Sequence, residues 1–332
     1  MSVSVDFAPL GIAIGHATDD VGATGLTVIR GIDAPLRAGV AVFGRATGSR
    51  ELLAASADHM LDGRVDAILL TGGSAYGLNA AGGVMQWMEE HGRGFSFRTG
   101  VVPIVPAAVV FDLTPLGQIG ARPTADMAYA ATAAATSTSV DEGSVGAGTG
   151  ATVGKLFGSP MAMKGGFGWA VERTVDETLT VAAMVVVNAF GDVRDGAGHI
   201  IAGARTKSGR FADTARVLRS GNMPWVTKFD EHAAKNTTLA VVAVSSPRTS
   251  AELTHLARAA GAALYRRITP CGSSVDGDVV FAVSPAQGDR AAREPMIIEA
   301  LAVGALENAI ERAVRLARGR DGIPGLADAH GH

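Results

Sequence analysis

The sequence predicts an α+β protein in which helices cover β-sheets in layers, and three observations lead to this prediction. Short runs of β-branched residues recur early in the chain, each bounded by Gly, Pro or Asp, as strands are. Later segments carry apolar residues at the i, i+3, i+4, i+7 spacing of a helix with one buried face. Towards the end of the chain, strands and helices alternate, and this order is typical of helices packed on a sheet.

The predicted elements follow in chain order. Strands are predicted at residues 11–14, 26–30, 40–43, 67–70, 182–187, 239–244 and 279–283. Helices are predicted at residues 77–91, 125–135, 250–264 and 295–318, with Thr124 and Ser250 as N-caps of the second and third. The polar residues 191–235 predict an extended surface excursion. No repeat and no Pro- or Ser-rich linker divides the chain, so residues 1–332 are predicted to form one domain.

Composition excludes several classes of function. The 332 residues are 47% hydrophobic and 18% charged, a charged share below the usual value of about 25%. With 29 basic and 32 acidic residues and no basic run, the chain offers little to neutralise a phosphate backbone, so no nucleic-acid partner is expected. No apolar run approaches the roughly 18 residues of a membrane helix, and no membrane association is expected.

The numbers and spacing of cysteines and histidines indicate where the protein is located in the cell and whether it binds a metal. The lone Cys271 excludes an intrachain disulfide, and no basic residue precedes Arg30 in a signal-like segment. A cytoplasmic location is therefore expected. The eight histidines show none of the spacings of metal sites, so neither a metal nor another cofactor is predicted. Cys271 is a poor candidate nucleophile because no His lies near it in the sequence.

A candidate nucleophile stands where the polar segment meets a predicted buried strand. If the chain is cut between Asn236 and Thr237, Thr237 carries a hydroxyl and a free α-amine with a pKa of about 8. The cut needs no second protease, because attack of the Thr237 hydroxyl on the Asn236 carbonyl gives an ester that water opens. The same residues also form a glycosylation triplet, and threonine is common at strand starts. Thr238 is the second candidate.

Six motifs occur together in a recognisable order. They are TGGSAYGL (71–78), VPIVPAAVVFD (102–112), GAGTGATVGK (146–155), VVVN (185–188), NTT (236–238) and DGD (276–278). In this order the chain resembles the DmpA-type aminopeptidases, a family that includes β-peptidyl aminopeptidases and nylon-oligomer hydrolases. The resemblance extends over residues 11–313. It implies a four-layer αββα sandwich, self-cleavage into residues 1–236 and 237–332, and homo-oligomers of the processed heterodimers acting on a peptide or small amide.

The resemblance also assigns site residues, each with an ordinary alternative. It makes Thr237 the nucleophile and Lys155 the cation that stabilises its alkoxide or the oxyanion, although a glycine-rich loop can equally present a solvated lysine. Asn188 becomes an oxyanion donor, or else a turn residue after a strand. Asp276 and Asp278 would orient the Thr237 amine, hold Lys155 or bind a substrate ammonium, or simply form an Asp-Gly turn.

Two aromatic residues are assigned to the substrate pocket. Phe111 stands where many relatives have tyrosine, so a phenolic donor is missing there. This departure leaves Asn188 or backbone amides to stabilise an oxyanion. Tyr76, in the glycine-rich motif, is predicted to line the pocket as well.

Two other functions remain open on the sequence alone. An acyltransferase of the ornithine-acetyltransferase type shares the self-cleaving threonine and passes its acyl group to an amine instead of water. A non-catalytic member of the fold would keep the architecture without turnover, and Phe111 is the one hint towards it. Self-cleavage separates this last function from the other two, and an acyl-transfer assay separates the two enzymes.

Overall fold

The computed structural model describes residues 6–221, 235–290 and 294–330, which contain eighteen strands and six α-helices. The strands are β1 (Ile12–Asp19), β2 (Thr24–Gly31), β3 (Leu36–Val42), β4 (Ser49–Arg50), β5 (Arg64–Val65), β6 (Ala67–Thr71), β7 (Phe95–Phe97), β8 (Gly100–Val102), β9 (Ala107–Val109), β10 (Thr152–Val153), β11 (Met163–Lys164), β12 (Gly166–Arg173), β13 (Thr180–Asn188), β14 (Asp192–Arg194), β15 (Ile200–Ala202), β16 (Thr237–Val244), β17 (Ile268–Thr269) and β18 (Val279–Pro285). The helices are α1 (Ala81–Glu90), α2 (Ala125–Ala133), α3 (Thr214–Arg219), α4 (Ser250–Ala260), α5 (Ala262–Arg267) and α6 (Pro295–Arg315). None of the helices in the described ranges has the combination of length and apolar character needed to cross a bilayer.

Two mixed sheets organise the molecule. One has five strands in the order β1-β2-β6-β9-β4, and the other has six in the order β12-β13-β16-β18-β3-β5. Most neighbours are antiparallel, but β6 pairs with β9, and β16 with β18, in parallel. The parallel pair β16 and β18 lies in the middle of the larger sheet, so both strands enter the core from the same edge.

Side chains along β13 show why this strand is wholly apolar. Val181, Ala183 and Val185 belong to one hydrophobic cluster, whereas Ala182 and Met184 belong to another. Successive residues of a strand point to opposite faces, so β13 contacts a core on each side. A strand buried on both faces has no polar face, and its sequence is continuous rather than alternating.

Three hydrophobic clusters stack the elements into four layers. The middle cluster joins the two sheets and includes Ile14 and Ile68 from one, with Val241 and Phe281 from the other. Outside the smaller sheet, a second cluster packs α1 and α2 against β2 and β6. Outside the larger sheet, the third packs α4 and α6 against β13, β16 and β18. The order helix, sheet, sheet, helix confirms the αββα sandwich that the resemblance implies.

The predicted N-cap of the third helix is wrong by one residue. Thr249 is the cap: its hydroxyl accepts from the Glu252 N–H at 3.2 Å, and the Glu252 carboxylate accepts from the Thr249 N–H at 2.9 Å. This reciprocal pair is a capping box. Ser250 instead turns its hydroxyl inwards and donates to the Ala38 carbonyl at 2.6 Å, which ties α4 to β3.

Two further helix predictions differ from the structure in their extent. The predicted helix 250–264 is divided at Gly261 into α4 and α5. A side chain at Gly261 would place Cβ 2.1 Å from the Phe43 ring, so any other residue here requires the Phe43 ring to move. In the predicted helix 77–91, residues up to Ala80 belong to a 3₁₀-helix (Ser74–Ala80), and the α-helix begins at Ala81.

The prediction of an extended surface excursion at residues 191–235 is wrong for its first part. This part contains β14, β15 and α3, and it has a buried carboxylate at its centre. Asp192 accepts from the Thr214 N–H at 2.6 Å, the Thr214 hydroxyl at 2.9 Å and the Ala204 N–H at 2.8 Å. The polar residues thus satisfy backbone groups inside the fold rather than facing water. Residues 222–234 lie outside the described ranges.

The capping box gives a stability prediction. Thr249→Ala removes the hydroxyl that accepts from the Glu252 N–H and keeps the backbone N–H that donates to the Glu252 carboxylate, and we expect it to lower the free energy of unfolding by about 1 kcal/mol. Thr99→Ala, at an exposed threonine of the β7–β8 hairpin, is the matched control and should change it by less than about 0.5 kcal/mol. Urea unfolding measures both values, with each substitution made in a Thr237→Ala parent so that the self-cleavage implied by the resemblance would not divide the chain. Equal effects of the two substitutions would contradict the role given to the cap.

Candidate active site

The candidate site lies where strand β13 ends and the neighbouring strand β16 begins. The antiparallel register places Asn188, the last residue of β13, opposite Thr237, the first residue of β16. Thr237 is only 3% exposed, and its hydroxyl donates to the carbonyl oxygen of Asn236 at 2.6 Å. The hydroxyl therefore contacts the carbonyl group of the peptide bond that precedes it.

All four hydrogen-bonding positions of the Asn188 side chain are used. Its Oδ1 accepts from the Thr152 N–H at 3.0 Å and from Lys155 Nζ at 2.9 Å. Its Nδ2 donates to the carbonyl oxygens of Phe111 and Lys235, both at 3.2 Å. Asn188 is fully buried and belongs to a cluster of hydrogen-bonded groups around Thr237, here called the cluster. An ordinary turn residue after a strand, which was the alternative interpretation, would not be enclosed in this way.

Lys155 is held by three oxygens. Its Nζ donates to the Asn188 carbonyl at 3.0 Å, to Asn188 Oδ1 at 2.9 Å and to the Lys235 carbonyl at 2.8 Å. These acceptors match the three protons of an ammonium group. Loss of hydration lowers the pKa of Lys155 to about 7, against the opposing effect of the Asp276 and Asp112 carboxylates. A solvated loop lysine would make none of these contacts.

The Asp276 and Asp278 carboxylates fix the turn that faces Thr237. Asp276 Oδ2 accepts from the Ser273 N–H at 3.0 Å and from the Ser273 hydroxyl at 2.6 Å. Asp278 Oδ1 accepts from the Thr238 N–H at 2.6 Å, and its Oδ2 accepts from the Gly272 N–H at 2.9 Å. Burial and the neighbouring Asp276 raise the pKa of Asp278. Both residues therefore lie on the turn beside Thr237, and their carboxylates order the backbone of Thr238, Gly272 and Ser273.

A cavity of about 310 Å³ is lined in part by Lys235 and Asn236, the two residues that precede Thr237. Polar side chains of its wall come from Thr114, Thr152, Lys155, Ser159, Lys235 and Asn236. Small residues such as Gly158 and Ala162 complete it.

The two aromatic residues assigned to the pocket are placed differently. Phe111 lies at the cluster, with its carbonyl accepting from Asn188 and its ring 5.7 Å from Lys235 Nζ. Neither Phe111 nor Tyr76 is among the residues that line the cavity of about 310 Å³. Tyr76 is 55% exposed, and the Arg122 guanidinium stacks 3.6 Å from the centre of its ring.

A buried lysine that the motifs did not mark as a site residue supports the loop before Lys155. Lys164 is 1% exposed, and its Nζ donates to the carbonyls of Thr149 and Ala151 at 2.7 and 2.8 Å. Burial lowers the pKa of Lys164 to about 7. The loop it holds leads directly into Thr152 and Lys155, so Lys164 positions residues that contact Asn188.

Asp112 has a comparable role on the other side of the site. Its carboxylate accepts from the Thr24 hydroxyl and the Gly73 N–H, both at 2.6 Å, and burial raises its pKa to about 6. A side chain at Gly72 would place Cβ 2.1 Å from Asp112 Oδ2. The glycine-rich motif is therefore required for close wrapping of backbone around a buried carboxylate.

The environment of Cys271 does not favour a nucleophilic thiolate. Burial, together with the Asp278 and Asp276 carboxylates, raises the pKa of the Cys271 thiol and so disfavours a thiolate. Within residues 6–221, 235–290 and 294–330, no group of three or more His, Cys, Asp or Glu side chains is arranged to hold a metal ion.

Comparison with known protein families decides which family carries this cluster. The model described as Peptidase family S58 matches residues 9–326. The chain belongs to peptidase family S58. The resemblance to DmpA-type aminopeptidases is thereby confirmed, and this S58 chain is a hydrolase that acts on amide bonds.

Curated relatives of this S58 protein include peptidases and an amide hydrolase. An uncharacterised aminopeptidase of Mycobacterium tuberculosis (strain ATCC 25618 / H37Rv) is 39% identical over 288 residues, which cover 80% of this chain and 78% of that protein. A 6-aminohexanoate-oligomer endohydrolase of Kocuria sp. (strain KY2) is 30% identical over 315 residues, covering 90% of this chain and 81% of that protein.

Solved structures confirm the fold of the S58 chain. The L-aminopeptidase D-Ala-esterase/amidase of Ochrobactrum anthropi, described as a variant of the Ntn hydrolase fold, matches with a TM-score of 0.68 and 20% identity, over 97% of this chain and 90% of that one. A Burkholderia sp. β-aminopeptidase matches with a TM-score of 0.68 and 22% identity, over 96% and 89%.

The low pKa of Lys164 gives a pH prediction for stability. Between pH 7 and about 10, the unfolded chain keeps a proton on this lysine that the folded chain has lost. The free energy of unfolding should therefore rise with pH, by up to about 1.4 kcal/mol per unit from this group. Lys164→Met should remove that part of the slope.

Urea unfolding of the Thr237→Ala parent at several values between pH 7.5 and 9.5 measures the slope. Lys207→Met, at an exposed lysine, is the control and should leave it unchanged. An unaltered slope in Lys164→Met would contradict a neutral buried lysine.

Proposed function

We propose that this S58 hydrolase is a self-processing aminopeptidase or amidase that uses Thr237 as its N-terminal nucleophile. The observation that supports this most directly is the 2.6 Å contact between the Thr237 hydroxyl and the carbonyl oxygen of Asn236. A threonine inside a chain has no free amine, so cleavage before Thr237 supplies the second reactive group.

Cleavage proceeds by an N-to-O acyl shift. Thr237 Oγ1 bonds to the Asn236 carbonyl carbon, and the electron pair of the C=O π bond moves to the oxygen. The carbonyl re-forms as the bond to the Thr237 nitrogen breaks, and the hydroxyl proton passes to that nitrogen to give an amine. Water then hydrolyses the ester, which yields the Asn236 carboxylic acid and restores the Thr237 hydroxyl.

The uncut chain occupies groups that a substrate would need. The Lys235 carbonyl accepts from both Lys155 Nζ and Asn188 Nδ2. Withdrawal of this carbonyl after cleavage frees one donor on each side chain, beside the newly formed N-terminal threonine. We infer that Lys155 and Asn188 then bind the carbonyl oxygen of the substrate, where charge develops during attack by Thr237.

The substrate class follows from the cavity and from the relatives. Relatives of this chain are named as an uncharacterised aminopeptidase and as a 6-aminohexanoate-oligomer endohydrolase. The cavity of about 310 Å³ at Asn236 fits one small acyl unit. We therefore propose peptides or small linear amides as substrates, with an acyl ester on Thr237 that water hydrolyses.

Self-cleavage is tested by substitution at the two neighbouring threonines. The wild-type chain should separate on a denaturing gel into residues 1–236 and 237–332, and the smaller fragment should begin Thr-Thr-Leu-Ala. Thr237→Ala should remain one uncut, inactive polypeptide, because no hydroxyl contacts the Asn236 carbonyl. Thr237→Ser should still be cut.

Thr238→Ala is the matched control, and it should be processed at the wild-type position. If Thr237→Ala is still processed there, or if Thr238→Ala alone stays intact, Thr237 is not the nucleophile.

The role of Lys155 is tested in the processed enzyme. Lys155→Met removes a cation from the place where the substrate oxygen is proposed to bind, and kcat/KM should fall about 10²- to 10³-fold. Release of p-nitroaniline from aminoacyl anilides measures the rate, and gel analysis normalises it to processed chain. Lys207→Met is the control and should retain wild-type activity. A change confined to KM would contradict stabilisation of the transition state.

A further inference from the structure

The carbonyl oxygen of Asn236 accepts a second hydrogen bond, from the backbone of the turn that carries the two aspartates. The N–H of Gly277 donates to it at 2.8 Å, beside the Thr237 hydroxyl at 2.6 Å. Asn236 pairs with Asp276 as an isolated parallel bridge, which brings the turn alongside the scissile bond. Asn188 Nδ2, the side-chain donor predicted for an oxyanion, is bonded to Phe111 and Lys235 instead.

We propose that the Gly277 backbone N–H is the oxyanion donor for self-cleavage, an inference that rests on the proposed function. When Thr237 Oγ1 attacks, its proton leaves and its hydrogen bond to the Asn236 oxygen is lost. The Gly277 N–H then remains in contact, as a donor, with the oxygen that gains the negative charge. This N–H is already at hydrogen-bonding distance from the oxygen before the reaction, so the turn does not have to move as the negative charge develops.

Glycine is required at position 277 for a spatial reason. A Cβ atom there would lie 2.8 Å from the Ala46 carbonyl oxygen and 2.9 Å from Thr237 Oγ1. Real Cβ contacts are longer than this, so any other residue would displace either the nucleophile or the turn. The absence of a side chain thus lets the backbone N–H and the Thr237 hydroxyl reach the same oxygen.

The flanking aspartates hold this N–H in place. The Asp276 carboxylate accepts from the Ser273 N–H, and the Asp278 carboxylate accepts from the Thr238 and Gly272 N–H groups. The backbone carbonyls of the two aspartates accept from the N–H groups of Ala46 and Phe43, each at 2.9 Å. The turn is therefore braced from both ends. Asp276 and Asp278 act as positioning residues for the oxyanion donor in this step.

Replacing the amide at residue 277 by an ester tests the donor without changing the shape of the turn. Glycolic acid, incorporated at position 277 of the full chain by nonsense suppression in cell-free translation, lacks the N–H and keeps the glycine backbone. We expect the half-time of self-cleavage to lengthen about 10²- to 10³-fold, as for the loss of other oxyanion donors.

Two controls isolate this effect. The ester also weakens the Asp276 carbonyl as an acceptor for Ala46, so lactic acid at position 46, which removes the Ala46 N–H, tests that contact alone and should alter the half-time less than about tenfold. Glycolic acid at the exposed Gly288 tests the method of incorporation and should have no effect.

The outcomes separate this inference from the function on which it rests. If the wild-type chain yields a fragment beginning at Thr237 and the position 277 ester is cut as fast, the proposed nucleophile stands and the Gly277 donor is wrong. If the esters at positions 46 and 277 slow cleavage equally, turn geometry explains the effect and the donor role is also wrong. If the wild-type chain is never cut before Thr237, both proposals fail.

Discussion

The register between β13 and β16 is the constraint on which the site depends. It places Asn188 against Thr237 at the end of two strands that are otherwise entirely apolar. Because these strands are buried on both faces, polar groups at their ends have little access to water and must bond to one another. The cluster around Thr237 is the result: each side chain in it is oriented by backbone groups of a neighbouring segment.

Buried charges in this cluster are stabilised mainly through hydrogen bonds to backbone and amide groups. The described partners of Lys155 are oxygens of Asn188 and Lys235, and those of Asp278 are the N–H groups of Thr238 and Gly272. Desolvation shifts the pKa values of Lys155 and Asp278 towards each other, so that small changes in their surroundings alter their charge near neutral pH. Groups tuned in this way are common at catalytic sites.

Much of the fold and part of the site could be predicted from the sequence, because periodicity and strand ends are local signals. Asn188 follows an apolar run and Thr237 precedes one, so the sequence predicts that both residues lie at the ends of buried strands. The cap at Thr249 was missed because Ser250 is an equally good cap by type, and only its contact with Ala38 distinguishes them. The role of Lys164 could not be predicted, because a lysine buried by segments distant in the sequence shows no sequence pattern of its own. Gly277 has no side chain to suggest a role.

Glycine explains two close approaches of the backbone to polar side chains in this region. Gly72 lets a loop wrap the Asp112 carboxylate, and Gly277 lets a turn approach the Thr237 hydroxyl. Backbone N–H groups held by such contacts are fixed donors, and they lose no side-chain freedom when charge develops on an oxygen. In the proposed pathway this matters most before cleavage, since Lys155 and Asn188 are then bonded to Lys235. The backbone donor serves the first, intramolecular reaction, and the side chains become available for the reactions that follow.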